Sequence, residues 1–467
     1  MQKTEVFELS IYSKVVVPIL SLAERCSAVE AENWITPDEE SYFKYPVKIF
    51  GSEAQIYQHP VILKPDGTIW LDGSLFLLQL AIDESTDNST LKSMAGDLVQ
   101  FMNKMDEHDL DYRDFGGRKF ELPTYVYKAS FKLDIHEQKI APETANKKIR
   151  SVVKFYTWMI ESRNFSPKNA PWKIRYVKIL FEDSFGFERT KEVKTTDLIF
   201  PVPREKISGY YIVDGGQLVP LTKAEQYTLL DALMIAGNTE MLLIFVIALV
   251  TGMRIQTILT LRFSCIKINA GTGFELFPLR AGKGTLVDTK GGKPIVVLMP
   301  AWLHNKLETY VNSERYRERS DKAPHKTKED RYIFLTRTGR PYYTAKSDQG
   351  SLATAEKGSA VRYFLTNTLK PIILELGHDI NFSFHDLRAT FGMNLLEERE
   401  AMLNDGKISP MELIDYIRRR MNHSSSKVTE QYLNFRKNRE MLYEADEVFQ
   451  AHLIQLMEGN DGTDASS

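Results

Sequence analysis

The sequence predicts a mainly α-helical protein with a small amount of β-sheet and an additional mixed α/β region at its N-terminus. Three observations lead to this prediction. At 467 residues, the chain is too long for one ordinary domain. Beyond about residue 85, apolar residues recur at three- and four-residue spacing over several segments, as in helices that bury one face. Short strand-like runs stand beside Gly-containing turns, which is typical of hairpins.

The composition favours a soluble globular protein, since 43% of the residues are hydrophobic and 26% are charged. A formal net charge of -2 argues against wholesale coating by nucleic acid but leaves open a basic patch on one face. The two cysteines, Cys26 and Cys265, exclude a disulfide framework and a Cys-rich zinc site. The start lacks the pattern of a secretory signal, and the longest apolar stretch, Met241–Val250, is about half as long as a membrane span. We therefore expect a cytoplasmic protein of a bacterium-like cell, without membrane contact.

Two regions precede the most informative part of the chain. Residues 1–84 are predicted to be an accessory domain with strands, which either binds DNA or protein or only packs. Residues 85–190 are predicted to be helical, and Pro142 opens one of the helices. One face of that helix carries three cations, Lys147, Arg150 and Lys154. Taken alone, such a stripe is a solvated face.

The next boundaries follow from Pro and Gly content and from a helix-start signal. Residues 191–217 are rich in Pro and Gly without sustained periodicity, which predicts a linker. The pair Thr222 and Glu225 forms a capping box that begins a helix and, with it, a domain over 218–445. Residues 446–467 are predicted to be the end of a helix followed by a disordered acidic tail.

Four separated clusters of residues in this last domain could carry chemistry. In the first, the apolar helix Met241–Val250 reaches a break at Gly252, and Arg254 follows at once. An unpaired charge next to the core costs several kcal/mol, so this guanidinium must pair with an anion. The anion is either a structural carboxylate or a ligand.

The second cluster is a predicted hairpin turn at Gly291 and Gly292, which places Lys290 at or just before its tip. A mobile lysine can give up a proton when its pKa is lowered. Lys283 and Lys293 lie nearby, so the sequence does not decide which lysine of the three acts. A lysine in a turn is otherwise ordinary surface.

The third cluster places His385 and Arg388 on one face of a helix. Leu387 and Phe391 lie on another face and are predicted to anchor that helix in the core. Gly392 shares the face of the His and Arg and would let a bulky partner approach closely. A guanidinium and an imidazole side by side suit a phosphate, because one binds two oxygens and the other handles a proton. The alternative is an ordinary surface pair.

In the fourth cluster, His423 precedes Tyr432 by nine residues, across a Ser-rich turn and a helix that begins near Ser426. A tyrosine in a helix is usually a packing residue. The 25 residues around this pair contain seven cations against two anions, which is a local basic patch. The cations are Arg418, Arg419, Arg420, Lys427, Arg436, Lys437 and Arg439.

Together, the four clusters resemble the signature of the tyrosine recombinase (phage integrase) family over residues 218–445. Arg254, after Thr-Gly-Met, resembles the first catalytic arginine of the family, and Lys290 resembles its hairpin lysine. His385 and Arg388 resemble the His-x-x-Arg pair. This resemblance implies a mainly α catalytic domain with a small β-sheet, and it makes residues 85–190 similar to the family's helical core-binding domain.

The last two matches complete a set of six residues in the order of the family. His423, in Asn-His-Ser-Ser, resembles the family's Gly-His-Ser-Ser histidine, and Tyr432 resembles the nucleophile. The chain departs from the pattern at three supporting positions: Thr257 replaces the usual Glu, Ala389 a frequent His or Lys, and Asn422 the usual Gly.

The resemblance implies a mechanism. The two arginines would clamp the phosphate and the phenol would attack it, giving a 3′-phosphotyrosine. His385 would accept the phenolic proton, Lys290 would protonate the leaving 5′-oxygen, and His423 would bind the phosphate. No metal and no cofactor is implied.

The implied protein is a site-specific recombinase or integrase of a mobile genetic element that acts on double-stranded DNA. It would be a homo-tetramer on DNA and a monomer or dimer when free, with accessory proteins as an option. The DNA-binding residues would be the stripe at positions 147, 150 and 154 and, from the basic patch, Arg418, Arg419, Arg420, Lys427 and Arg436. Two alternatives remain: a type IB topoisomerase-like or telomere-resolving enzyme, and a binding protein without activity.

Overall fold

A computed structural model of the chain divides into two compact units, residues 1–204 and 205–467. The structure describes residues 11–21, 23–25, 32–35, 41–44, 47–49, 55–83, 86–182, 188–202, 210–266, 275–323, 327, 329–348, 356–423 and 425–439. The predicted helix end and acidic tail at 446–467 lie outside these residues.

The first unit begins with short antiparallel pairs of strands. The long pair joins β1 to β6, with Ser13 opposite Leu63 and Ser21 opposite Gln55. The remaining strands form two shorter pairs, β2 with β5 and β3 with β4. The six strands are β1 Ser13–Ser21, β2 Ala23–Arg25, β3 Glu32–Ile35, β4 Ser41–Lys44, β5 Val47–Ile49 and β6 Gln55–Leu63.

Four helices follow and enclose the core of this unit. They are α1 Leu71–Asp83, α2 Asn88–Glu107, α3 Pro123–His136 and α4 Pro142–Ser162. Proline opens α4, as the sequence predicts, because its missing N–H costs nothing in the first turn. The core is rich in aromatic rings, and Phe155 of α4 contacts the rings of Trp70, Phe76 and Tyr156.

The end of the first unit differs from the sequence prediction. The sequence predicts helices over residues 85–190 and a linker over 191–217, but β7 Ile174–Glu182 and β8 Glu188–Thr196 form an antiparallel hairpin across this boundary. The apolar residues of β7 recur at three- and four-residue spacing, as Ile174, Val177 and Phe181 do, and β8 has one apolar residue, Val193. Neither strand shows the alternation of polar and apolar residues that marks a half-buried strand.

The second unit begins with a small hairpin inside the predicted linker, formed by β9 Ile212–Val213 and β10 Gln217–Leu218. Three helices follow: α5 Lys223–Ile235, α6 Thr239–Thr251 and α7 Ile255–Leu259. The capping box predicted at Thr222 and Glu225 is present at the start of α5. Helix α6 ends at Gly252, whose φ of 64° is left-handed and therefore suits glycine.

A hairpin and two helices come next: β11 Leu276–Ala281, β12 Ile295–Pro300, α8 Ala301–Val311 and α9 Glu314–Ser320. The predicted turn at Gly291 and Gly292 lies within the long loop of this hairpin, in a short 3-10 helix Lys290–Gly292. Glu240 of α6 is fully buried, and its carboxylate pairs with Arg315 at 2.7 Å and Arg319 at 3.2 Å. This ion pair ties α9 to α6.

The chain closes with α10 Ser359–Phe364 and α11 Lys370–Glu375, joined by a π-helical turn Leu365–Leu369, and with α12 Asp386–Asn404 and α13 Pro410–Met421. A further helix covers residues 426–439. The predicted anchors of α12, Leu387 and Phe391, are buried, and so is Leu395 on the same face. The chain is thus mostly helical with small two-stranded sheets, as predicted.

Two apolar clusters fill the second unit. The larger one lies around α6, and the smaller one gathers residues of β9, β10, α12, α13 and helix 426–439. Because the smaller cluster contains Ile212, Leu218 and Tyr432, it packs the first hairpin of the unit against its last described helix. Within the described ranges, no helix is long and apolar enough to cross a membrane.

Candidate active site

The candidate site is built around Asp214, at the turn between β9 and β10. Its carboxylate is almost fully buried. The next residue, Gly215, has a φ of 79°, which glycine adopts without strain. A Cβ at Gly215 would lie 3.4 Å from His385 Nε2 and 3.5 Å from Lys290 Nζ. The turn therefore lies directly against two of the residues predicted from the sequence.

Arg254 reaches Asp214 from the break between α6 and α7. Its Nη2 donates to Asp214 Oδ1 at 3.0 Å. Its Nε is buried and has no hydrogen-bond partner among the described residues. The sequence predicted that this guanidinium must pair with an anion, and the structure supplies a carboxylate.

Arg388 approaches the same carboxylate from α12 and is itself buried. Its Nε donates to Asp214 Oδ2 at 2.6 Å. Its Nη1 and Nη2 donate to the carbonyl oxygens of Gly252 at 2.6 Å and Met421 at 2.7 Å. All three nitrogens of the guanidinium are therefore engaged within the protein.

The two predicted histidines complete the surroundings of Asp214. His423 Nε2 donates to Asp214 Oδ2 at 3.1 Å, and its Nδ1 pairs with the Thr429 hydroxyl at 3.0 Å. His385 Nε2 donates to the backbone oxygen of Asp214 at 2.8 Å. Four of the six predicted residues thus bond to one amino acid.

The electrostatics of the site follow from this arrangement. Burial alone would raise the pKa of the Asp214 carboxyl, but the hydrogen bond from His423 and the charges of Arg388 and Arg254 hold it far below its usual range. Burial lowers the pKa of His385, so its imidazole is neutral at neutral pH. The site therefore contains an ionised carboxylate and a neutral imidazole.

Tyr432 lies on helix 426–439 and is fully buried. Its hydroxyl has no hydrogen-bond partner in the described part of the chain. Burial and the charge of Asp214 raise its pKa well above the ordinary value, so the phenol is protonated. Its ring lies 5.9 Å from the ring of His423, centroid to centroid. The predicted nucleophile is thus next to the cationic residues but shielded from solvent.

Gly392 makes the packing around Tyr432 possible. A Cβ at this position would lie 2.3 Å from Tyr432 Cε1 and 2.7 Å from Met421 Sδ.

We expect Gly392→Ala to destabilise the second unit by about 1–3 kcal/mol, as overpacking does. Because the tyrosine ring must move, the variant should also lose most of any Tyr432-dependent chemistry. Chemical denaturation measures the first effect. A matched control is Gly96→Ala on helix α2, because a Cβ at Gly96 would meet only Lys14 Nζ, the flexible end of a side chain, at 3.1 Å. Full stability of Gly392→Ala would contradict this packing.

Of the three candidate lysines, Lys290 faces the site, since its Nζ would lie 3.5 Å from a Cβ placed on Gly215. Lys290 and Lys293 both line a small cavity together with Arg254 and Arg388, and Lys283 does not. Lys283 is exposed.

The residues predicted to bind DNA are distributed over both units. Lys147, Arg150 and Lys154 are exposed on α4 in the first unit. Lys147 Nζ bonds Ser93 Oγ at 2.5 Å and lies 3.5 Å from Asp97 Oδ2.

The predicted basic patch of the second unit is partly paired. Arg418 and Arg419 bind Asp415 at 2.7 and 2.6 Å. Arg420 bonds the Tyr416 hydroxyl at 3.2 Å and lines the small cavity beside the site.

The other two residues of the patch that are predicted to bind DNA lie on helix 426–439. Lys427 is exposed, and Arg436 pairs with Glu400.

A groove of about 860 Å³ opens beside the site. Arg254, Lys290 and His385 line it on one side. Three further cations of its wall, not identified from the sequence, are Lys357, Arg362 and Lys370. They stand in no recognisable motif, so only the fold brings them together.

Asp214 is the other residue that sequence reasoning missed. It falls in the segment 191–217 that was predicted to be a linker. The available signal was the Asp-Gly-Gly turn between two apolar pairs, which is a hairpin pattern. Among the described residues, no group of three or more His, Cys, Asp or Glu side chains is arranged to hold a metal ion.

Comparison with known proteins gives one match to a family and several to structures. Residues 220–439 match the model of the phage integrase family. The chain is similar to a Tn1549 transposon integrase in complex with circular intermediate DNA, with 15% identity and a TM-score of 0.41 over 77% of this chain and 94% of that one. It is also similar to a lambda integrase dimer bound to a COC' core site, with 14% identity and a TM-score of 0.43 over 79% and 95%. At these scores the two likenesses carry no conclusion for this chain. No curated protein matches its sequence.

Proposed function

Residues 220–439 of this chain belong to the phage integrase family, and on this premise we propose that the protein cleaves and rejoins DNA through a covalent bond to Tyr432. One observation carries the proposal. Two guanidinium groups and the His423 imidazole bond to a single buried anion, the Asp214 carboxylate. The His385 imidazole bonds to the backbone oxygen of the same residue, and the Tyr432 ring lies 5.9 Å from the His423 ring. A site that holds a carboxylate in this way is also suited to a phosphodiester, which has the same charge and accepts the same hydrogen bonds.

The arginines would perform the electrostatic part of the reaction. A phosphodiester resists a nucleophile because it is anionic, and charge on its non-bridging oxygens increases in the pentavalent transition state. Arg254 and Arg388 come from different elements and enclose the anion position, so their donors are fixed before the reaction begins. Arg388 is further held by two carbonyl oxygens, which fixes its guanidinium plane.

The covalent step is a displacement at phosphorus. The Tyr432 oxygen forms a bond to phosphorus as the bond to the 5′-oxygen of the next nucleotide breaks. The phenolic proton passes to His385, whose imidazole is neutral in the free protein because of burial. Lys290 supplies a proton to the leaving 5′-oxygen. The product is a 3′-phosphotyrosine, and attack by a 5′-hydroxyl reverses the sequence and reseals a strand.

The groove beside the site supports duplex DNA as the substrate. Lys357, Arg362 and Lys370 line it, and cations along a groove match the phosphates that flank a cleaved bond. The stripe of three cations on α4 and the basic residues of α13 and helix 426–439 would contact the same DNA. The proposal includes two further points. The protein assembles as a homo-tetramer on DNA, and it originates in a mobile genetic element.

The proposed function is tested with a suicide substrate, a duplex with a nick one or a few nucleotides from the cleavage site. After cleavage, the short fragment that carries the 5′-hydroxyl diffuses away. No group is then left to reseal the strand, and the covalent complex accumulates. We expect a protein–DNA adduct that survives denaturing electrophoresis, with the DNA attached to Tyr432 in the digested product. Absence of an adduct on DNA that the protein binds would refute the proposal. Recombination between two sites, as opposed to relaxation of one supercoiled plasmid, separates strand exchange from a topoisomerase-like activity.

A separate prediction concerns the proton donor. We expect Lys290→Ala to slow cleavage of ordinary DNA by about 100-fold or more, as loss of a general acid does. A substrate with sulfur in place of the leaving 5′-oxygen should restore most of the rate, because a thiolate leaves without a proton. Rates on both substrates are measured in single turnover.

Lys283→Ala is the control for this prediction, because Lys283 belongs to the same loop but does not line the site. It should cleave both substrates at nearly the wild-type rate. If Lys290→Ala loses the same fraction of the cleavage rate on the oxygen and sulfur substrates, this lysine does not protonate the leaving group.

A further inference from the structure

The Asp214 carboxylate occupies the position that the proposed reaction assigns to the phosphate. One oxygen accepts from Arg254, and the other accepts from Arg388 and His423. The backbone oxygen of the same residue accepts from His385. The three residues proposed to bind the phosphate and His385, the proposed base, are therefore all bonded to Asp214 already.

Arg388 has no guanidinium nitrogen left for a second anion in this state. Every nitrogen of Arg388 is engaged, since Gly252 and Met421 take the two that Asp214 leaves. A phosphodiester next to the buried carboxylate would place two negative charges in one pocket, which is strongly unfavourable in a medium of low dielectric constant. The phosphate and the carboxylate therefore exclude each other.

We propose that Asp214 is an internal substitute for the scissile phosphate, and that the hairpin formed by β9 and β10 must leave the site before DNA is cleaved. The inference rests on the proposed function, because it concerns the same anion position. It adds that the free protein is autoinhibited and that the inhibitor is part of its own chain.

The position of the nucleophile agrees with a closed state. Ile212 and Leu218 of the hairpin belong to the same apolar cluster as Tyr432. The backbone N–H of Val213 donates to the side chain of Gln431, the residue before Tyr432, at 2.7 Å. The hairpin and helix 426–439 are thus packed together, and the tyrosine hydroxyl is buried with them. Departure of the hairpin removes one wall of the tyrosine's pocket.

The hairpin is also small enough to detach. Its strands contain two residues each, and such a pair has little stability without the surrounding contacts. If the closed state holds nine-tenths of the molecules, only the remaining tenth accepts DNA, and removal of the inhibitor raises the apparent rate by about tenfold.

The first test is Asp214→Asn, which keeps the shape of the side chain but removes its charge and turns one oxygen into a donor facing the arginines. With the suicide substrate at limiting protein concentration, we expect the covalent complex to form several-fold to about tenfold faster than with wild type. If Asp214 instead holds the arginines in place for catalysis, the variant will cleave more slowly than wild type, and the proposal is wrong.

Glu240→Gln is the matched control. Glu240 is also a buried carboxylate between two arginines of the second unit, but it lies in the ion pair between α6 and α9. It should lower stability without any gain in cleavage rate. A comparable gain in both variants would attribute the effect to general loosening, which also overturns the proposal.

The second test does not depend on cleavage. Asp214→Asn leaves an anion site without its anion, so inorganic phosphate should fill it and raise the melting temperature of the variant in proportion to the logarithm of its concentration. Wild type should respond much less, and so should the double variant Asp214→Asn with Arg254→Ala. Equal phosphate responses in wild type and Asp214→Asn would contradict the inference, whether or not the protein cuts DNA.

A third variant covers the case in which Asp214→Asn does not fold. Gln431→Ala removes the acceptor for the Val213 N–H but leaves every charge of the site in place. The hairpin should open more often, and covalent complex formation should again be faster than in wild type. An unchanged or reduced rate in this variant counts against the proposal. If wild type itself gives no adduct, the proposed function fails separately, and the phosphate response still decides about Asp214.

Discussion

Tyr432→Phe is expected to abolish the covalent protein–DNA complex and to leave DNA binding nearly unchanged. The phenyl ring keeps its place against Gly392 and Met421, so the fold has no reason to change. The lost hydroxyl has no hydrogen-bond partner among the described residues. Since a buried, unsatisfied polar group costs about 1–3 kcal/mol, the variant should be at least as stable as wild type. Loss of activity without loss of stability is the signature of a nucleophile.

Three measurements check this expectation: adduct formation on the suicide substrate, affinity for the uncut duplex, and stability in urea. Tyr416→Phe is a suitable control, because Tyr416 lies on α13, near the site, with its hydroxyl bonded to Arg420. That variant should still form the adduct. An adduct that persists in Tyr432→Phe would mean that another side chain attacks the phosphate.

The parts of the fold that follow from local patterns were predictable. Helix α4 begins at Pro142, α5 begins with the capping box at Thr222, and α6 ends at Gly252, because each signal acts within a few residues. The core face of α12 was also predictable from its periodicity. Local signals decide where helices begin and end, and apolar spacing decides which face is buried.

Contacts between distant segments were not predictable from the same patterns. From the sequence alone, the charge-dense segment 305–328, which contains Arg315 and Arg319, is predicted to include a solvated insertion. In the structure, both arginines pair with Glu240, a fully buried glutamate in an apolar helix. Neither the glutamate nor the arginines carry a local mark of this partnership, because the pair is formed by tertiary packing.

The candidate site shows the same division. The residue types and their order identify Arg254, His385, Arg388, His423 and Tyr432 as candidates, and the fold brings them together. Their roles stay predictions. The anion at the centre, Asp214, lies in a segment whose Pro and Gly content predicts a linker, and only the folded chain reveals that the arginines have a partner.

The second large effect separates two arginines that the sequence treats as equivalent. From the sequence, alanine at either position should abolish cleavage and leave most of the fold intact. In the structure, the side chain of Arg388 is 6% exposed and bonds to three partners, whereas that of Arg254 is 31% exposed and bonds to Asp214 through Nη2. We expect both variants to lose cleavage. We expect Arg388→Ala alone to lose about 3–5 kcal/mol of folding free energy as well, because it breaks a buried ion pair.

Urea denaturation of Arg254→Ala and Arg388→Ala measures the difference in folding free energy. A double-mutant cycle of Arg388→Ala with Asp214→Asn shows how much of it comes from the ion pair. If Arg388→Ala loses folding free energy because the Asp214 carboxylate stays buried without its partner, Asp214→Asn should recover much of that loss, since it removes the buried negative charge. Whatever cost persists belongs to the carbonyl oxygens of Gly252 and Met421, which lose their donor in either background. Equal stabilities of Arg254→Ala and Arg388→Ala would contradict the buried geometry of Arg388. A recovered fold without recovered cleavage in the double variant would show that Arg388 is needed for the phosphate itself and not only to neutralise Asp214.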